Sequence, residues 1–155
     1  MSLDIEILAP TDRPVLLGIG AADILDYAQG VLDQLGYKVH TATTKDEFLD
    51  RFSRVQYEII LLEDTFGGVP PDQNESLQTL QQMPMAQRRH ATIMLISDTL
   101  PSLDALTAFQ QSVHATINRN DLDKLMLIIQ QVVNDNTLFL NTYRDVQRNI
   151  AQGKR

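Results

Sequence analysis

The chain has 155 residues, 43% of them hydrophobic and 21% charged, which is typical of one globular domain with a core of ordinary size. Its formal net charge of −7 weighs against nucleic acid and anionic membranes as partners, and the absence of cysteine excludes disulfides and thiol chemistry. The apolar runs fall short of the roughly 20 residues of a membrane span, and no signal peptide is recognisable, so we expect a cytoplasmic protein.

The first part of the chain predicts strands and helices in alternation. The apolar run 14–20 predicts a buried strand, and apolar residues spaced by three and four over 21–36 predict a helix that ends at a glycine. The segment 37–43 is rich in β-branched residues and predicts a second strand. A capping box then opens a helix over 44–55.

The rest of the chain predicts the same alternation. The apolar strand 57–62 leads through the turn-rich loop 67–75 into a helix at 76–89, which we expect to break before Pro84. The remaining elements are strands at 91–97 and 114–118 and helices at 102–113 and 121–133.

Five strand–helix units predict the architecture. Strands that are apolar on both faces and joined by helices form a parallel sheet covered on both sides. We therefore predict a doubly wound (βα)5 three-layer α/β sandwich with a central five-stranded parallel sheet at 13–135, an N-terminal extension (1–12) and a C-terminal helical extension (136–155). In such folds the functional crevice lies at the carboxyl ends of the strands, which is where Glu63 and Asp64 fall.

Several sequence segments resemble parts of the receiver domain of bacterial two-component response regulators. VLDQLGYKV is similar to the end of that family's first helix and its second strand, YEIILLE to the third strand, ATIMLIS to the fourth and DLDKL to the start of the last helix. The resemblance implies a CheY-like, flavodoxin-like fold. It also implies a phosphorylation pocket, with two Mg²⁺-binding acids after the first strand, an acceptor aspartate after the third, a hydroxyl after the fourth and a lysine after the fifth.

Each position of that pocket is altered in this chain. The metal-binding acids are replaced by Ile19 and Gly20, the acceptor by Glu63, the hydroxyl residue by Ile96 with Ser97 beside it, and the lysine by Asn118, which Arg119 follows in place of the usual proline. We therefore predict a degenerate pseudo-receiver: a non-catalytic signalling and protein-interaction module, not an enzyme, with no metal and no cofactor. Glu63 is one methylene longer than aspartate and can mimic a phosphorylated state, although the missing lysine and hydroxyl weaken that mimicry.

Three other interpretations of these residues stay open. An unorthodox pocket can be phosphorylated on Glu63, or on Asp64 if the strand is shifted by one residue. The two acids can instead be solvated charges at a strand end without a role. The stretch GIGAAD (18–23), with its turn from Gly18 to Gly20, can bind a small ligand or a nucleotide. It lacks the remaining residues of a phosphate-binding motif and is also explained as a tight turn into the helix.

A heptad pattern runs through the end of the chain. Its members are Leu122, Leu125, Ile129, Val132, Asn136, Phe139, Tyr143, Val146 and Ile150. An unbroken helix would carry this seam beyond the domain and pair with a second copy, with Asn136 favouring one parallel register. A break at 134–136 and a separate helix folding back is the alternative. We expect a protein partner or a homodimer, through this helix or through the 102–135 face that receiver domains use for contacts.

Overall fold

Five strands form one parallel sheet in the computed structural model, which describes residues 11–84 and 91–151. The strands are β1 (Pro14–Gly18), β2 (Lys38–Ala42), β3 (Ile59–Glu63), β4 (Thr92–Ser97) and β5 (Ala115–Asn118). Their order across the sheet is β2-β1-β3-β4-β5, and each neighbouring pair is parallel. This order confirms the doubly wound α/β fold predicted from the sequence.

Helices connect the strands and cover both faces of the sheet. Within the described ranges they are α1 (Ala22–Gln34), α2 (Lys45–Arg54), α3 (Glu75–Gln82), α4 (Ala105–Gln111) and α5 (Leu125–Ala151), with short 3-10 turns at Pro71–Gln73 and Arg119–Lys124. Side chains cap the starts of three of these helices: Thr44 accepts from the Glu47 N–H, Asn74 from the Leu77 N–H and Asp104 from the Thr107 N–H. No helix in this part of the chain is both long and apolar enough to cross a bilayer.

The third helix stops before Pro84, as the sequence predicts, because the residue before a proline is disfavoured in helical conformation. The rest of that predicted helix, up to residue 89, falls outside the described residues. Most of the predicted N-terminal extension and the end of the C-terminal one also lie outside them. The proposed domain boundaries therefore stay a prediction.

The core has two layers, one on each face of the sheet. Alternate strand residues point to opposite faces, so each strand contributes to both layers. The layer under α1 and α5 includes the fully buried residues Val15, Leu17, Ala28, Leu32, Ile59 and Leu125. The layer under α2, α3 and α4 includes the fully buried residues Leu16, Phe48, Ile60, Leu62, Leu80 and Leu95. These layers make the three-layer sandwich. Because all five strands are parallel, their carboxyl ends lie at one edge of the sheet.

Gly18 is a packing glycine at the end of β1. A Cβ added there would lie 2.7 Å from Leu62 Cδ1 and 3.0 Å from two ring atoms of Phe48. A side chain at this position would therefore require the buried Leu62 and Phe48 side chains to shift. This requirement explains one glycine of the GIGAAD turn without a ligand.

The last helix, α5, is continuous over 27 residues, so of the two alternatives the unbroken helix is present and the break at 134–136 is not. At 1.5 Å per residue it is about 40 Å long. Its first half packs against the sheet, and the side chains of Leu125, Ile129 and Val132 are buried in the first core layer. The Asn136 amide donates to Thr92 Oγ1 of β4 at 2.8 Å.

The prediction of a dimer interface along the heptad seam is therefore wrong for the first positions of that seam. A three-and-four spacing describes a stripe on a helix but does not say what covers it, and here the domain's own sheet covers Leu125, Ile129 and Val132. Asn136 is likewise engaged within the chain. Further along, Phe139, Val146 and Ile150 are exposed, whereas the side chain of Tyr143 lies outside the described residues.

Candidate functional site

The two acids that follow the apolar run of β3 are buried. Glu63 is the last residue of the strand and is 2% exposed, and Asp64 is 5% exposed. The interpretation of both as solvated strand-end charges is therefore wrong. A charged carboxylate in such a place needs hydrogen-bond donors or a cation, because its hydration is lost.

Glu63 finds those donors on two separate parts of the chain. Its Oε1 accepts from the backbone N–H of Gly20 at 2.5 Å and of Ala21 at 3.1 Å, in the turn between β1 and α1. Its Oε2 accepts from an Nη of Arg119 at 2.5 Å, in the turn after β5. The carboxylate thus bridges the ends of β1, β3 and β5, which are far apart in sequence.

Arg119 extends this bridge to β4. Its Nε lies 2.8 Å from Oδ1 of Asp98, the residue after β4, as an ion pair whose N–H is not aligned as a regular hydrogen bond. The Asp98 side chain is mostly exposed, whereas that of Glu63 is buried, so the contact with Glu63 is the less screened of the two. The planar guanidinium with several donors suits such a double contact. We call Glu63, Arg119 and Asp98 the ion chain.

Other residues predicted for the pocket are near the ion chain but have structural roles. Ile19 is buried in the first core layer, and Gly20 contributes its backbone N–H rather than a side chain. Ile96 is the direct register partner of Glu63 in β4 and is fully buried. None of these three side chains can supply an oxygen to a ligand.

The polar members of the predicted pocket shape the adjoining loop. Ser97 Oγ accepts from the N–H groups of Thr99 and Leu100 at 3.1 and 3.2 Å. The Asn118 amide donates to the Leu100 carbonyl at 2.9 Å, and its Oδ1 accepts from the Asn120 N–H. These hydrogen bonds hold the loop after β4 against the end of β5, and the carboxylate of Glu63 takes its hydrogen bonds from Gly20, Ala21 and Arg119 instead.

Asp64 lies just beyond the strand pairing. Its N–H donates to the Ile96 carbonyl at 2.9 Å. The Asn74 amide donates to the carbonyl groups of both Glu63 and Asp64, each at 3.0 Å, and this fixes the start of the following loop. The register with β4 leaves Glu63, not Asp64, as the last paired residue.

Arg119 is the site residue that the sequence interpretation missed. The family resemblance places it where a proline usually follows the lysine, and it implies no role for Arg119. A usable signal was present, because a cation that directly follows the last strand must lie at the same edge as an acid that ends the third. Sequence spacing did not show that the arginine reaches Glu63.

The residues at this edge do not fit the Mg²⁺ site that receiver domains use. Ile19 and Gly20 offer no side-chain oxygen, and both Glu63 oxygens are engaged by N–H donors. Among the described residues, no group of three or more His, Asp or Glu side chains is placed to hold a metal ion. The GIGAAD turn is also poorly suited to a phosphate, because its Gly20 and Ala21 N–H groups already bind a carboxylate.

Solved structures with the same architecture include response regulators and receiver domains. The chain is similar to NtrX from Brucella abortus, solved in complex with ADP, with 17% identity and a TM-score of 0.67, over 94% of this chain but 31% of that one. It is similar to a CheY-like response regulator receiver domain protein from Methanospirillum hungatei, with 15% identity and a TM-score of 0.63, over 82% of this chain and 98% of that one.

The chemotaxis response regulator CheY4 of Vibrio cholerae is a third example, with 15% identity and a TM-score of 0.63, over 79% of this chain and 99% of that one. The chain thus spans about a third of NtrX and nearly the whole of the two single-domain proteins. No protein-family model and no curated protein matches the sequence. With the sheet order, the core layers and these structures in agreement, the chain has the CheY-like receiver-domain fold.

Proposed function

We propose that this chain is a pseudo-receiver: a signalling and protein-interaction module of the response-regulator type in which an internal ion chain replaces phosphorylation. The observation that carries this proposal is the engagement of both Glu63 oxygens by the chain's own Gly20, Ala21 and Arg119 donors. The carboxylate that stands at the acceptor position is thereby occupied. We expect the protein to act in the cytoplasm, without nucleic acid or a membrane as partner.

Phosphoryl transfer to Glu63 would have to undo this arrangement. A carboxylate nucleophile needs an oxygen free for in-line attack, and cations placed to neutralise the transferred oxygens. Here the attacking oxygen would first lose the Arg119 or turn N–H contacts inside a buried site. The positions that would hold a metal carry Ile19 and Gly20. These features favour the pseudo-receiver over an unorthodox phosphoacceptor at Glu63 or Asp64.

The ion chain also suggests a fixed signalling state. Arg119 begins the 3-10 turn that leads directly into α5, so its contact with Glu63 ties the end of β3 to the start of that helix. In a phosphorylated receiver a transferred phosphoryl group would supply the negative charge at this place. In this chain Glu63 supplies a constant negative charge at the same place. We infer that the partner surface is held in one constitutive conformation.

Two exposed apolar surfaces are candidates for the partner. The first lies within the predicted 102–135 face, where Leu103, Leu106, Phe109 and Leu127 are exposed, Phe109 to 81%. The second is on the far half of α5, where Phe139, Val146 and Ile150 share one helix face by their spacings of seven and four and Leu138 is exposed beside it. Clusters of exposed large apolar side chains mark interaction sites. We propose that the first surface contacts a protein partner and that the second pairs with another copy of the chain.

Intact-mass spectrometry after incubation with acetyl phosphate and Mg²⁺ tests the proposed loss of phosphorylation. We expect no added phosphoryl mass, because the acceptor oxygens are engaged and no metal ligands stand beside them. Glu63→Gln and Asp64→Asn are the matched variants. A phosphoryl adduct that disappears in one of these variants would identify that residue as the phosphoacceptor and would contradict the pseudo-receiver proposal.

A further inference from the structure

A separate cleft of about 440 Å³ lies beside the ion chain, on the β2 side of the same sheet edge. It opens between the loops that follow β1, β2 and β3 and the first turn of α3. Gly20 forms part of its wall, but Glu63, Arg119 and Asp98 do not line it. The cleft therefore has its own set of chemical groups.

Ser76 gives this cleft an unsatisfied hydroxyl group. The residue is only 1% exposed and lines the cleft, and its Oγ has no hydrogen-bond partner among the described residues. The neighbouring Asn74 is in contrast fully used, as a cap for the Leu77 N–H and as a donor to two carbonyl groups. A buried hydroxyl without a partner costs free energy, so its presence beside a cleft points to a ligand atom.

Two helices direct their amino ends at the cleft. Thr44 and Lys45, at the start of α2, line one wall, and Glu75 and Ser76, at the start of α3, line the other. N–H groups in the first turn of a helix lack intrahelical acceptors and carry partial positive charge. The convergence of two such ends favours an anionic ligand.

Lys45 adds a full positive charge at the same place. Its Nζ lies 2.7 Å from Oε2 of Glu75, and this hydrogen bond raises the pKa of the lysine, which keeps it protonated. Both side chains are about half exposed, so the pair can exchange partners at little cost. A ligand carboxylate can share the ammonium group with Glu75.

The wall formed by the loop after β3 is apolar and open. Val69 lines it with Gly67 and Gly68, whereas the adjoining Phe66 ring is only 2% exposed and belongs to the second core layer. Both glycines have positive φ, and a Cβ at either position would meet no neighbour within 4 Å. The glycines are thus explained by backbone conformation, and they leave the mouth of the cleft unobstructed.

We propose that this cleft binds a small organic acid, with its carboxylate at Ser76 Oγ, Lys45 Nζ and the first turn of α3, and its apolar part against Val69. The proposal does not depend on whether Glu63 is phosphorylated, and it goes beyond a signalling module held in one state. It gives the module a site for a chemical input that is separate from the former phosphorylation pocket.

Titration of the ¹⁵N-labelled full chain with benzoate tests the site. We expect saturable shifts of the Ser76, Lys45 and Gly68 amide signals, and weaker binding of benzamide, which lacks the charge. Ser76→Ala should raise the Kd for benzoate about tenfold, since it removes one hydrogen bond to a charged group. Lys45→Gln should also weaken binding, whereas Ser53→Ala, the same kind of change at an exposed position of α2, should leave it unchanged.

Folding of the variants is checked by their unfolding midpoints. Ser76→Ala should fold with undiminished stability, because the hydroxyl that it removes has no protein partner. If neither benzoate nor butyrate gives saturable shifts at these amides, the cleft is not an organic-acid site. If Ser76→Ala and Lys45→Gln both bind benzoate as the unmodified chain does, the proposed contacts are wrong.

Discussion

Glutamate in place of the receiver aspartate adds one methylene group, and at position 63 that length has structural consequences. It lets one carboxylate meet both the Gly20–Ala21 turn and Arg119 from the end of β3. A charge that is buried to this degree is tolerated only with such donors around it. The stability of the strand edge therefore depends on the arginine that the sequence interpretation overlooked.

Arg119→Ala is expected to lower the free energy of unfolding by about 2 kcal/mol, because it leaves the buried Glu63 carboxylate without its cation. Urea unfolding followed by circular dichroism measures this loss. Arg54→Ala is the matched control, since its exposed ion pair with Asp50 contributes below about 0.5 kcal/mol. Equal losses in the two variants would show that the ion chain adds nothing to stability.

The helix α5 shows how one element serves two environments. Its first half is part of the core, where Leu125, Ile128 and Ile129 are buried against the sheet. Its second half continues past Asn136 with large apolar side chains exposed, including Phe139 and Ile150. A continuous helix therefore carries a rigid connection from the core layer to a surface that we propose for self-association.

Substitutions in the two halves should separate stability from association. Ile129→Ala is expected to cost about 2 to 5 kcal/mol of unfolding free energy, because it opens a cavity in the first core layer. Phe139→Ser with Ile150→Ser should change stability by no more than about 0.5 kcal/mol for each exposed site. Light scattering should nevertheless show a dimer for the unmodified chain and a monomer for this double variant.

Either of two results would contradict that expectation. A monomer for the unmodified chain over a wide concentration range would remove the self-association surface, and Leu106 and Phe109 would remain as the partner surface. A dimer that survives the double substitution would move the interface to another face of the chain. In both cases the result for Ile129→Ala still tests the buried role of the first half.

At the scale of the whole molecule, two arginines link strand ends, one at each end of the sheet. Arg119 joins the carboxyl ends of the strands. Arg13 joins the amino ends, where it donates to the Tyr37 hydroxyl at 3.1 Å and to Glu58 at 2.9 Å, with its guanidinium 4.4 Å from the centre of the Tyr37 ring. The Arg13–Glu58 pair is half exposed, so the buried Tyr37 ring is the main packing element there.

Burial raises the pKa of the Tyr37 phenol above its usual value of about 10, although the nearby Arg13 opposes the shift. Between these two pKa values the folded chain holds a proton that the unfolded chain releases. Tyr37 therefore contributes stability that is fully present below about pH 10 and is lost as the pH rises through the raised pKa. We expect the free energy of unfolding to fall less steeply above pH 10 in Tyr37→Phe than in the unmodified chain.

Urea unfolding at a series of alkaline pH values measures that slope. Lys45, whose pKa is also raised, contributes in the same alkaline range but is present in both proteins and cancels in the difference. Tyr27→Phe controls for the loss of a phenol at a more exposed position on α1. Identical slopes for Tyr37→Phe and the unmodified chain would show that the buried phenol does not link folding to pH.

The apolar spacing of the sequence by itself determined the elements, the parallel sheet and the edge at which Glu63 lies. These features follow from periods of about two and 3.6 residues and from the order of strands and helices, which are local properties of the chain. The stop of the third helix before Pro84 and the cap at Thr44 were predictable for the same reason.

Only the tertiary structure decided which side chains contact one another. Arg119 reaches Glu63 across 56 positions of the chain, and Asn136 meets Thr92 across 44, distances at which spacing carries no information. The apolar stripe on α5 could equally have packed against a second copy of the chain. A helical pattern specifies which face is apolar but not what packs against that face. Folding placed the sheet against its first half, and the same folding brought Arg119 to the carboxylate of Glu63.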